Sequence, residues 1–232
     1  MQKQRKRFTR KELKRDPLME YIYQARQLWN QYRVVATRYG GIALAIIVIT
    51  ILVSRWRSGQ DQDAAAVVGI AFVEYSHQNF DSVVEQLSPH VENYSGLPSF
   101  GGGLYILARS ELAVGDTGNA EAYFRQYLKD YSDDDLLRSG AYGGLGTILE
   151  NRGDYIEASN LFSKASKYST SKSLRYRYIL STARNYVLAG READALKLIQ
   201  PLIDNEEVDL PIRNEFQILA TFAKEKIKRS EG

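Results

Sequence analysis

The sequence contains no cysteine. Disulfide staples, thiol catalysis and cysteine-based zinc sites are therefore excluded, as is the acylated cysteine that a bacterial lipoprotein anchor requires. Histidine is nearly as scarce. His77 and His90 are the only two; each stands near the end of a predicted helix without a carboxylate pattern around it, and is expected to be solvated or to cap a helix end. No Gly-x-Ser-x-Gly elbow is present. Gly101-Gly102-Gly103 and Gly143-Gly144-Leu145-Gly146 are rich in glycine, but neither precedes Lys-Ser/Thr or follows a strand, so neither reads as a phosphate loop. The first is expected as a loop entering a helix, the second as small residues that let helices pack closely. Asp133-Asp134-Asp135 lacks the alternating spacing and distal glutamate of a calcium loop and is expected to cap a helix and favour its dipole. The chain is thus expected to be a non-enzyme with no catalytic residue, no metal and no cofactor.

Charge is missing altogether between Arg38 and Arg55. The run Tyr39 to Val53 reads Y-G-G-I-A-L-A-I-I-V-I-T-I-L-V. At ~1.5 Å rise per residue, residues 34–56 reach about 33 Å, enough to cross a bilayer core with Arg38 snorkelling to the headgroups. Trp29, Tyr32, Tyr39 and Trp56 then fall near the two interfaces. A soluble core helix is not normally apolar on every face for so long. A cleaved signal peptide, with Ala64-Ala65-Ala66 as its processing site, conflicts with the long charged region before the run and with Arg55 after it.

Before the run, eleven basic residues stand against Glu12, Asp16 and Glu20, a net of +8; with +3 for the whole chain, the remainder lies near −5. The basic side is expected in the cytoplasm, which in a bacterium places the remainder in the periplasm. Within that segment, Thr9-Arg10-Lys11-Glu12 fits a capping box and Asp16-Pro17 an N-cap with proline at the first helical position. Leu18, Ile22, Ala25, Trp29 and Tyr32 give a helical apolar stripe. Such a basic amphipathic helix suits anionic lipid or a partner's cytoplasmic loops, or serves only as an orientation signal. Lipid contact is expected through residues 18–56, and nucleic-acid binding is not expected. The organisation is therefore a basic segment over 1–33, a membrane helix over 34–56 and a repeat domain over 57–232.

The remainder repeats itself. Four segments align at Gln78-Asn79-Phe80, Gly115-Asp116-Thr117, Gly153-Asp154-Tyr155 and Gly190-Arg191-Glu192, spaced 37, 38 and 37 residues apart. Each continues through a small or β-branched residue (Val83, Ala120, Ala158, Ala195) to a large apolar one (Leu87, Phe124, Phe162, Ile199). The third copy, Leu145 to Ala165, carries Leu145-Gly146, Gly153, Tyr155, Ala158, Phe162 and Ala165 and closely resembles the tetratricopeptide pattern. Small residues let paired helices approach, a turn glycine ends the first helix, and the aromatic fills the gap between neighbours. The period exceeds the ~34 residues usual for such repeats, which predicts longer linkers. Pro211 to Lys228 places Ile212, Phe216, Leu219, Phe222 and Ala223 at helical spacing, suiting a closing helix with a polar outer face.

The fold expected is all-α: an N-terminal transmembrane helix, then a tetratricopeptide-like solenoid of about four helix-turn-helix repeats and a closing helix. The resemblance implies a concave face that holds peptides or protein segments. It selects Phe72 and Tyr75, Tyr105 and Arg109, Thr147 and Glu150, and Arg177 and Arg184 from the four repeats, aromatic anchors beside arginines. In layout, a basic cytoplasmic end, one anchor and a few degenerate repeats, the chain resembles the YfgM-type ancillary subunits of the SecYEG translocon. That resemblance implies a place in the bacterial inner membrane and partners among SecYEG, periplasmic chaperones and exported proteins. A scaffold for another envelope complex and a receptor for targeting peptides are the alternatives.

Overall fold

The structure is a computed structural model that describes residues 17–131 and 133–230. Among the described residues there are ten α-helices and no strand: α1 (Pro17–Ser76), α2 (Phe80–Leu87), α3 (Val91–Tyr94), α4 (Phe100–Val114), α5 (Thr117–Asp130), α6 (Asp135–Arg152), α7 (Tyr155–Tyr168), α8 (Lys172–Leu188), α9 (Glu192–Ile203) and α10 (Leu210–Ser230). The chain divides into two units, Met1–Trp56 and Arg57–Gly232. The capping box at Thr9 and the N-cap at Asp16 lie outside the described residues.

In the first unit, the described chain is the leading part of α1, which runs through Gly40 and Gly41 without a break. The stretch Thr37–Ser76 includes an 18-residue window of mean hydropathy 1.8, none of it buried. Ile42, Leu44, Ile46, Ile47, Ile49 and Leu52 are exposed around the full circumference. Thr50, the one polar side chain between Ile42 and Val53, donates its hydroxyl to the carbonyl of Ile46 at 2.8 Å. A helix with its backbone and side-chain polar groups satisfied internally meets the requirement that hydrocarbon imposes, and this one is long and apolar enough to cross a bilayer.

The second unit is built from helix pairs: the end of α1 with α2, then α4 with α5, α6 with α7, and α8 with α9, followed by α10. Each pair turns on a left-handed residue. Gly115, Gly153 and Gly190 have φ of 95°, 89° and 75°, and Gln78 at the same place in the first pair has φ 62°. The degenerate first repeat therefore keeps the turn geometry while carrying a side chain that this geometry disfavours. Val83, Ala120, Ala158 and Ala195 are fully buried, and Leu87, Phe124, Phe162 and Ile199 are fully buried or nearly so, as the alignment expects. The second helices α5 and α7 have 14 residues each, whereas α6 has 18 and α8 has 17. The connections at residues 131–134 and 169–171 are short, so in the second and third intervals the added period sits in the first helices, whereas in the first interval it sits in the connection between α2 and α4 at residues 88–99, a longer linker as expected.

Caps follow local chemistry. Asp134 accepts from the amides of Leu136 and Leu137 at 2.8 and 3.1 Å, which places the Asp133-Asp134-Asp135 run at the start of α6 as expected. Asp116 likewise accepts from Asn119 at 3.0 Å at the start of α5. Glu121 pairs with Arg125 of its own helix and joins α5 to α6 through Arg152, both at 2.7 Å, and Lys226 joins α10 to α9 through Glu192 at 2.7 Å and to α8 through the Val187 carbonyl at 2.7 Å.

Close helix approach is concentrated at α6. A Cβ at Gly140 would meet the Tyr105 hydroxyl of α4, and one at Gly144 would meet the Phe124 ring of α5. A Cβ at Gly143 would come within 2.6 Å of Tyr178 of α8, and one at Gly146 within 2.9 Å of Phe162 of α7. Four rings from four helices thus rest on backbone that has no side chains to hold them off. The second glycine cluster has the packing role expected of it.

Two expectations change. Gly101-Gly102-Gly103 is not a loop but the first turn of α4, where Gly103 admits Val68 of α1 and Gly101 admits the Tyr131 ring. The outer face of α10 is not fully polar: Phe216, Ala220 and Ala223 are buried, but Ile218 and Phe222 are 71% and 55% exposed. A 3.6-residue period places Phe222 only one position from Ala223, so the apolar stripe wraps past the edge that α8 and α9 cover.

Gly144→Ala is expected to lower stability by about 1–2 kcal/mol in a urea melt, since overpacking against a fully buried Phe124 exceeds the propensity gained. Gly102→Ala, whose Cβ meets open space, is the control, with no loss expected. Gln78→Gly is expected to raise stability by up to about 1 kcal/mol by relieving the left-handed side chain.

Candidate partner groove

The first helix of each pair presents one face in a common register. Phe72, Arg109, Thr147 and Arg184 each stand six residues before the left-handed turn residue of their repeat, and all four are exposed. Tyr75 and Glu150, three residues before the turn, are half-buried, as is Tyr105. Arg177 is exposed near the start of α8. The Thr147 hydroxyl donates to the carbonyl of Gly143 at 3.0 Å, so its polar group is engaged by its own helix.

The eight residues form two associations rather than one. Glu150 of α6 and Arg184 of α8 pair at 3.0 Å, and Asn185 donates to the same carboxylate at 3.2 Å. The other is Tyr105 of α4 with Tyr178 of α8, which lie over Gly140 and Gly143 on α6; the charge of Arg109 acts on both phenols and on Tyr75. Burial pushes the Tyr105 phenol above its ordinary value, and the Arg109 charge beside it pulls only part of the way back. Tyr178 is also pushed up by burial. At Arg109, crowding opposes the charge, but the phenols of Tyr105, Tyr75 and Tyr178 outweigh it and hold the guanidinium above its ordinary value. Phe72, Thr147 and Arg177 flank these groups without joining either.

Sequence reasoning missed three features. Tyr178 belongs to the face because α8 is rotated so that the residue beside Arg177, not Arg177 itself, overlies Gly143. Tyr127, with its ring centroid 5.8 Å from that of Tyr105, packs behind Tyr105 from α5. The third is a cleft of about 340 Å3 between α8 and α10, lined by Leu180, Arg184, Glu215, Ile218, Leu219 and Phe222. Ile218 and Phe222 signalled it only through their i, i+4 spacing, which also fits a buried stripe. Among the described residues, no group of three or more histidine, aspartate or glutamate side chains is placed to hold a metal ion.

Comparison with solved structures settles the architecture. A crystal structure of a Podosopora anserina putative kinesin light chain with nearly identical TPR-like repeats superposes with a TM-score of 0.56, at 19% identity over 74% of this chain and 90% of that one. A point variant of the same protein gives 0.57 with the same identity and coverage. The fold is a tetratricopeptide-like solenoid. At this identity the likeness concerns fold alone. No protein-family model and no curated protein matches the sequence. Solenoids of this kind present a repeated surface to protein partners, and the register of Phe72, Arg109, Thr147 and Arg184 is the candidate for that surface here.

Behind Tyr105, Tyr127 is buried and its phenol is pushed up to about 12, first by burial and then by the Asp134 charge. Because the folded value lies above the ordinary 10.0, this contribution to stability is complete below pH ~10 and is lost as pH rises towards 12, to a total of roughly 3 kcal/mol. Circular dichroism at rising pH is expected to show loss of helix in that window. Tyr127→Phe is expected to move the loss to higher pH while leaving the melt at neutral pH nearly unchanged.

Proposed function

We propose that the chain is a membrane-anchored protein-interaction module whose groove holds an extended segment of a partner protein. The observation that carries this reading is the single register of exposed side chains on four successive first helices, ending in the apolar cleft beside Phe222. Ligand-sized apolar clefts flanked by a few fixed polar groups are where binding energy concentrates.

The anchor reading rests on the uncharged, all-round apolar stretch from Ile42 to Val53 and on its asymmetric flanks. Residues 1–33 form the cytoplasmic basic segment, 34–56 the span and 57–232 the repeat domain on the opposite side. With this layout, a non-catalytic role beside the SecYEG translocon in a bacterial inner membrane fits best. The repeat domain would meet periplasmic chaperones or exported proteins as they emerge. The support is the layout of basic end, one anchor and repeat array, together with a groove suited to unfolded chain.

Extraction of the full-length protein in a gentle detergent, with crosslinking and identification of what accompanies it, tests the assignment. Recovery of SecY and periplasmic chaperones is the expected result. Recovery of a division or secretion complex in their place would reassign the module to a scaffold, and labelling of the repeat domain from the cytoplasmic side would reverse the topology and point to a targeting-peptide receptor.

A further inference from the structure

Along α10 and the connection before it, charge is sorted by sign. Residues 204–215 carry Asp204, Glu206, Glu207, Asp209 and Glu215 against Arg213, a net of −4. Residues 224–229 carry Lys224, Lys226, Lys228 and Arg229 against Glu225, a net of +3. The eight residues between them, Phe216 to Ala223, carry no charge. Acids at the start of a helix and bases at its end suit the helix dipole, so this order alone points to no partner. What adds to it is the outer face of the uncharged stretch, where Ile218 and Phe222 stand exposed one turn apart.

Two depressions meet at that pair. One is the cleft towards α8. The other lies on the opposite side of Ile218 and Phe222 and is formed by α10 alone, with Asn214, Gln217, Thr221 and Glu225 around the two apolar side chains. The Thr221 hydroxyl donates to the Gln217 carbonyl of its own helix at 2.9 Å, so covering this face leaves that donor satisfied. Exposed apolar side chains within a polar rim mark a contact surface.

A face that is acidic at one end, apolar at its middle and basic at the other is complementary to itself turned end for end. In an antiparallel pair of α10 helices with the two-fold axis at the level of Ala220, Ile218 of each copy meets Phe222 of the other. The acidic end of each copy then lies along the basic end of the other. A parallel pair would set acid against acid and base against base. The sorted charge thus selects both the occupant and its direction.

We propose that the outer face of α10 is a docking surface for a second copy of this chain, which packs α10 against α10 antiparallel about that two-fold axis. The inference goes beyond the groove reading and does not depend on it. The second copy covers the side of Ile218 and Phe222 turned from α8, whereas the groove ends in the cleft on the α8 side.

The test uses the full chain, in a mild detergent for its mass by light scattering or sedimentation, and in its membrane for disulfide trapping. Absence of native cysteine keeps the trapping free of background. A dimer is the expected result. Phe222→Asp, at an exposed position, is expected to keep the helical circular dichroism and to weaken association about thirtyfold or more, as loss of a central aromatic anchor does. Thr221→Cys, close to the axis, is expected to form a disulfide with the same residue of the second copy. Leu210→Cys and Arg229→Cys are expected to be trapped only when the two variants are mixed, because antiparallel packing brings opposite ends of α10 together. A monomer would overturn the proposal. So would a dimer that persists in Phe222→Asp, which would place the contact elsewhere, or trapping of Leu210→Cys and Arg229→Cys each with itself, which would make the pair parallel. Trapping of a different protein at Thr221→Cys in place of a second copy would give the face to that protein and overturn self-association.

Discussion

The repeat domain depends on the bare backbone of α6. Gly140, Gly143, Gly144 and Gly146 leave both sides of this helix without side chains, and rings from α4, α5, α7 and α8 descend onto it. Glycine inside a helix costs about 1 kcal/mol relative to alanine, so a helix with this many would be a poor one alone. The aromatic area buried against them offsets that cost, since each ring excludes water from a large apolar surface. The same approach sets how far apart α4 and α8 stand, and so brings Tyr105 and Tyr178 onto the backbone of one helix. Packing and the candidate groove are two consequences of one constraint.

The turns impose a second constraint on register. Each pair reverses direction at a residue with positive φ, and counting back from that residue locates the same exposed face in every repeat. Where glycine is replaced by Gln78, the turn is kept by its surroundings: the Tyr75 ring meets Phe80 at 5.9 Å, and Asn79 donates to Glu74 at 2.7 Å across the reversal. Local contacts here hold a conformation that the side chain itself does not favour.

Charge and hydropathy divide the chain by environment. Large apolar residues from Ile42 to Val53 are exposed, whereas Ala64 and Ala71 on the same helix are fully buried. One continuous helix therefore carries residues suited to two solvents. The change falls where Ala64, Val67, Val68 and Ala71 pack against the repeat core, and Asp61 accepts from Ser99 at 2.9 Å beside them.

The sequence by itself determined the helical class, the repeat register and the stretch suited to a membrane. All three follow from short-range periodicity: left-handed turn residues at a 37- or 38-residue interval, a small residue and a large apolar one after each, and an uncharged run bounded by arginines. It also indicated half of the candidate groove, since Phe72, Arg109, Thr147 and Arg184 share a register. Only the tertiary structure decided which of these side chains meet. Glu150 pairs with Arg184 across 34 positions, and Tyr178 rather than Arg177 lies over α6 beside Tyr105. Whether Phe222 is core or cleft also depended on how far α8 and α9 cover α10. Those outcomes turn on the rotation of one helix against another by a fraction of a turn, and that rotation is set by the side chains of both neighbours at once rather than by any periodicity along the chain.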